Sequence, residues 1–125
     1  MTCPQPTQTN EVDWNAARMA VQNDDGLLRD IVQTMLQELP RFRSEIALAM
    51  STQNARRLEI AAHTLKSSLR YFGCGTAVQL ALQLEQLGER HALAEAPAVW
   101  QLLEPRVERL RVALVDYLEA ATKLS

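Results

Sequence analysis

Two cysteines in 125 residues are too few for a disulfide framework. Cys3, in a polar stretch, and Cys74, in a turn, also lack metal-ligand spacing, so both read as reduced thiols. Histidine is as scarce, with only His63 and His91, and no Glu-x-x-His motif is present for facing helices to share. A helical bundle built around a metal or cofactor is therefore set aside, and neither is expected. There is no Gly-rich phosphate loop and no cluster of carboxylates, which excludes the usual nucleotide and Mg²⁺ sites. No apolar run approaches the ~20 residues of a membrane span. Residues 1–10 show neither a basic start nor an apolar block, and the chain reads as cytoplasmic. A formal net charge of -2 gives no basic footprint for nucleic acid. No stretch alternates apolar and polar residues as a half-buried strand does, and there is no internal repeat or low-complexity segment.

What is present is helical periodicity in an ordinary globular composition, 47% hydrophobic and 22% charged. The length suits one domain with a real core. Residues 1–11, with Pro4 and Pro6 among polar residues, are expected to form a flexible tail, and residues 12–122 a single domain. Asp13 is placed to cap a short first helix in which Trp14, Ala17 and Val21 share a face. Asn23-Asp24-Asp25-Gly26 then breaks that helix and caps the next. From Leu27 to about Met50 apolar residues recur at 28, 31, 32, 35, 39, 42 and 46, with a bend expected at Pro40. Ser51 to Asn54 supplies a turn, a third helix runs to about Phe72, and a fourth spans roughly Ala77 to His91. Pro97 fits the first turn of a last helix carrying Trp100, Leu103, Val107, Leu110, Leu114 and Tyr117, in which Pro105 implies a bend or a late start. The expected fold is all-α: an antiparallel up-down-up-down four-helix bundle with the short N-terminal helix as a lid on one end.

The chemistry gathers at His63-Thr64-Leu65-Lys66-Ser67-Ser68-Leu69-Arg70-Tyr71-Phe72-Gly73. At about 100° per residue, Arg56, Glu59, Lys66, Ser67 and Arg70 fall within roughly 60° of His63, while Leu58, Ala61, Leu65, Leu69 and Phe72 fall on the other side. The helix thus buries an apolar stripe and turns toward water a histidine flanked by cations. Gly73 and Gly75 punctuate the chain, and Thr76-Ala77-Val78-Gln79 fits a capping box for the following helix. In a hairpin turning near Cys74, positions 63 and 85 are each eleven residues from the turn, and position 85 is Glu. Ala77, Leu80, Ala81, Leu84 and Leu87 make the core stripe of that helix, with Glu85 at its edge. A carboxylate there can receive the Nδ1 proton of His63 and leave the Nε2 lone pair facing solvent.

The run His-x-Leu-Lys, with Gly ten residues after the His and Glu twenty-two after it, resembles the histidine-containing phosphotransfer (HPt) domain of bacterial two-component phosphorelays. The likeness extends from about Val12 to Tyr117. It implies a phosphorelay intermediate in which His63 accepts a phosphoryl group from a receiver-domain aspartate, or from a histidine kinase module, and passes it on. On this resemblance Lys66 steadies the phosphoryl oxygens and Glu85 orients the imidazole. The resemblance further implies response-regulator receiver domains and a sensor or hybrid histidine kinase as partners, and a phosphocarrier that is not an enzyme.

Two positions depart from the family pattern. Ser67 stands where Gly usually follows the Lys, and Arg70 stands where a small residue is preferred. Arg70 either obstructs docking or supplies a second cation for the phosphoryl group. Ser67 and Ser68 are open to two readings as well: contacts to partner or phosphoryl group, or helix residues whose hydroxyls bond back to the preceding turn. These departures also leave room for an HPt-like module that binds receivers without transferring phosphate.

Overall fold

The computed structural model describes residues 12–124, so the expected tail at 1–11 lies outside the described residues. Helix α1 spans Trp14–Ala20, α2 Asp25–Ser51, α3 Ala55–Tyr71, α4 Gly75–Glu89 and α5 Ala96–Leu124, with a single 3₁₀ turn at Leu93–Glu95 before the last. Among the described residues there is no strand.

Three of the helix starts follow from short polar side chains. The Oδ1 atoms of Asp13, Asp24 and Asn54 accept from the backbone N–H three residues on, at 3.1, 3.0 and 3.0 Å. Each satisfies one of the otherwise orphaned donors of a first turn. The fourth start differs from expectation. Helix α4 begins at Gly75, its N-cap is Cys74, and no side chain caps it, so the Thr76–Gln79 pattern lies inside the helix. The Cys74 side chain is buried in the core. Helix α4 also ends two residues before His91, which is exposed in the left-handed region at φ 57°.

The apolar stripes close on one another as the periodicity predicts. Leu28, Val32, Leu39 and Ile46 of α2, Leu58, Leu65 and Leu69 of α3, Leu84 of α4 and Leu103, Leu110 and Leu114 of α5 are essentially inaccessible to water. Helix α2 packs on α3 and α5, and α4 packs on the same two. That cyclic order is the antiparallel four-helix bundle. Burial of these stripes is its main driving force, at ~25 cal/mol per Å² of apolar surface.

Both prolines within helices are tolerated. Helix α2 continues through Pro40 and α5 through Pro105, so the late start considered for α5 does not occur. Both rings lie on exposed faces, where water can serve the carbonyl that loses its donor. An ion-pair cluster joins α2 to α5: Glu108 accepts from Arg111 at 2.6 Å and from Arg43 at 3.2 Å. The Arg111 hydrogen bond, reinforced by Arg43 and only partly opposed by desolvation, lowers the Glu108 pKa to about 2. A carboxylate depressed in the folded state stabilises the fold above its usual pKa of 4.5 and loses that contribution as the pH falls toward 2.

Helix α1 closes the end of the bundle nearest the α3–α4 turn. The Asp13 N–H donates to the Phe72 carbonyl at 2.8 Å, and the Trp14 ring stacks on Tyr117 at 4.7 Å while meeting Phe72 edge-on at 6.3 Å. Gly73 makes the approach possible, since it adopts φ +65° and a Cβ there would lie 2.7 Å from Asp13 Cβ. None of the helices among the described residues is long and apolar enough to cross a membrane.

Candidate functional site

Helices α3 and α4 approach until their backbones nearly touch. A Cβ built on Gly88 would lie 2.7 Å from Glu59 N and 2.8 Å from the Ala55 carbonyl oxygen of α3. Glu59 lies one turn before His63, and Gly88 one turn after Glu85. The close contact therefore holds the two helices together directly beside the candidate residues.

The hairpin register brings His63 and Glu85 together. Nδ1 of His63 lies 2.9 Å from Glu85 Oε2, and Lys66 Nζ donates to Glu85 Oε1 at 2.6 Å. Each oxygen of one carboxylate thus serves one residue of α3. The His63 side chain is 60% exposed, whereas Glu85 is 19% and Lys66 10% exposed. Burial pushes the Glu85 carboxyl up, but the hydrogen bonds from Lys66 and His63, with their charges, outweigh it and leave the pKa below its usual value. Glu85 is consequently ionised at neutral pH, and an ionised carboxylate only accepts. The Nδ1 atom must carry the proton, which leaves Nε2 of the neutral ring with its lone pair. Nothing in the described residues engages Nε2, and the exposed part of the ring is available to a partner.

Lys66 departs from the sequence expectation. It is the one buried charged residue among those described, and it is committed to Glu85 instead of standing free beside the imidazole. A position about 60° from His63 lies at the boundary of the exposed face, and α4 covers that boundary. Ser67 follows the local reading: its hydroxyl donates to the His63 carbonyl at 3.1 Å. Ser68 is half-buried, and Arg70 is exposed. On the opposite flank Ile60 is 52% exposed, an apolar residue that the sequence reading passed over. Its signal was available, since it lies three residues before His63 and off the core stripe. Among the described residues no group of three or more His, Cys, Asp or Glu side chains is arranged to hold a metal ion.

The Hpt domain family model matches residues 30–121. The chain belongs to the Hpt domain family. As an Hpt domain it is a phosphorelay intermediate of two-component signal transduction. Two solved structures share its fold. Histidine-containing phosphotransfer protein B from Pseudomonas aeruginosa PAO1 superposes with a TM-score of 0.81 at 16% identity, covering 88% of this chain and 96% of that one. The HPT domain of a sensor hybrid histidine kinase from Shewanella gives a TM-score of 0.77 at 18% identity, covering 90% of this chain and 97% of the other. No curated protein matches the sequence significantly.

Proposed function

We propose that His63 is the phosphoryl carrier of this Hpt domain, with Glu85 as the residue that orients its ring and Lys66 as the residue that holds Glu85. The observation that carries the reading is the division of labour on one imidazole: Nδ1 is tied to Glu85 at 2.9 Å while the side chain stays 60% exposed. Neutral Nε2 attacks the phosphorus of an aspartyl phosphate on a receiver domain. A P–N bond forms as the P–O bond to the aspartate breaks, and the carboxylate leaves with the bonding pair. The ring acquires positive charge, which the Glu85 carboxylate on the far side offsets. The reverse sequence delivers the group to a second receiver. On this reading the chain is a phosphocarrier and not an enzyme, since the metal ion and acidic residues that activate the aspartyl phosphate belong to the receiver. Its partners are response-regulator receiver domains, with a sensor or hybrid histidine kinase upstream, and its setting is cytoplasmic. The domain proper is taken as residues 12–122.

Mixing the protein with a phosphorylated receiver should transfer a label that is lost in acid and kept in base, the behaviour of a phosphorus–nitrogen bond. Binding without any label would favour the receiver-binding module and overturn the carrier.

Lys66 is assigned a positioning role, and its position beneath Glu85 makes that role separable from direct contact with the phosphoryl group. Lys66→Met removes a charge-assisted hydrogen bond worth ~1.5–3 kcal/mol, and transfer should slow by roughly tenfold if about half of that stabilisation acts in the transition state. Glu85→Gln should slow it by a similar factor. The double variant should be little slower than Glu85→Gln alone, because both act through one carboxylate. Multiplying effects would instead put Lys66 on the phosphoryl oxygens. The ring's Nδ1–H tautomer, read by ¹⁵N NMR, should be mixed in both single variants while the helical circular dichroism is unchanged.

A further inference from the structure

Helix α3 carries four cations, and three of them are neutralised within the domain. Arg56 meets Glu59 at 3.5 Å, Arg57 meets Glu45 at 2.9 Å, and Lys66 meets Glu85 at 2.6 Å. Arg70 is exposed and has no carboxylate partner among the described residues. Seven residues after His63, it is rotated by only about 20° and displaced by about 10 Å along the helix axis. It therefore stands on the face that any phosphoryl donor must cover to reach Nε2. We infer that Arg70 selects the receiver: its guanidinium pairs with a carboxylate on the receiver's surface beside the phosphorylated aspartate, not with the phosphoryl group itself. This rests on the carrier role of His63.

The physical reason is the cost of covering an unpaired guanidinium. A charge taken out of water without a partner is unfavourable by far more than a charge at the rim of an interface contributes. A receiver presenting an acidic side chain to Arg70 removes that cost, and one presenting Lys or Arg is repelled. The other cations of α3 make this distinction less sharply, because each already has a carboxylate within 3.5 Å. The phosphoryl group is a poorer partner for Arg70, since it is delivered at Nε2, two helical turns away.

The test is a titration of phosphorylated receiver against wild type, Arg70→Lys, Arg70→Ala and Arg70→Glu, with transfer followed by rapid quench. Arg70→Glu should raise the half-saturating receiver concentration at least about tenfold while the saturating rate stays within about twofold, and Arg70→Lys should stay near wild type. The difference should shrink in ~0.5 M salt. Replacing the receiver's facing carboxylate by Lys should restore half-saturation to Arg70→Glu. Equal half-saturation for all four proteins, tighter binding by Arg70→Ala or Arg70→Glu, or a loss confined to the saturating rate would overturn the inference. A wild-type protein that takes no label from any receiver overturns the carrier reading as well, whereas label transfer indifferent to residue 70 overturns this inference alone.

Discussion

Replacing His63 with Gln should remove phosphate uptake altogether while leaving the bundle folded. Glutamine keeps a polar side chain of good helix propensity at a position where the native ring is 60% exposed, so little packing is lost. Surface substitutions of this kind fall within about 0.5 kcal/mol, and the melting temperature should move by no more than a few degrees. The chemistry, by contrast, depends on one lone pair. An amide nitrogen has its electrons delocalised into the carbonyl and offers no nucleophile at neutral pH. Removing the attacking atom of a group-transfer reaction typically costs on the order of 10³-fold or more, and here the label should fall to background. Receiver binding should survive, since the exposed face around position 63 is otherwise unchanged. Acid-labile label retained by this variant would move the carrier site elsewhere, and His91, the remaining histidine, would then be the candidate.

Much of this site is written in local spacing. Asp13, Asp24 and Asn54 announce their helices because a cap requires only a short acceptor three residues ahead of a free N–H. The pairing of His63 with Glu85 follows from counting back from a turn marked by glycine, since equal distances from a tight hairpin put two residues at one level. What the chain does not reveal depends on how closely neighbouring elements approach. Thr76 satisfies the capping pattern, but α4 starts at Gly75 with the buried Cys74 as its N-cap, two residues earlier than that pattern places it. Lys66 sits at an angle from His63 that permits either exposure or burial, and only the covering helix decides. Pro105 interrupts the hydrogen-bond ladder, yet Leu103 and Val107 on either side are buried, and their packing carries α5 through the interruption. Helix propensity is a weak term beside such burial.

Gly88 shows the same limit with the larger consequence, because in sequence it is only a glycine within an amphipathic helix. In isolation Gly88→Ala should stabilise α4, since Gly is ~1 kcal/mol worse than Ala in a helix interior. The structure reverses the sign. The added Cβ would stand 2.7 Å from Glu59 N and 2.8 Å from the Ala55 carbonyl oxygen, and backbone of a packed helix cannot rotate aside as a side-chain tip can. Overpacking of this kind costs ~1–3 kcal/mol, so after the ~1 kcal/mol gained in helix propensity a net loss of up to ~2 kcal/mol and a melting temperature lower by up to several degrees are expected for Ala. Gly88→Val should lose more, since it adds two further methyl groups and gives up helix propensity. The clash is relieved by moving α4 away from α3, and the strain is applied one turn from Glu85 and one turn from His63. A carboxylate held at 2.9 Å from Nδ1 has little room before the hydrogen bond fails. Transfer by Gly88→Ala should therefore slow by about tenfold under conditions where the protein is fully folded, with half-saturation by receiver nearly unchanged. Thermal melts, together with rapid-quench transfer measured well below the midpoint, separate the two effects. A variant as stable and as fast as wild type would show that the α3–α4 spacing does not hold the histidine and its carboxylate in register.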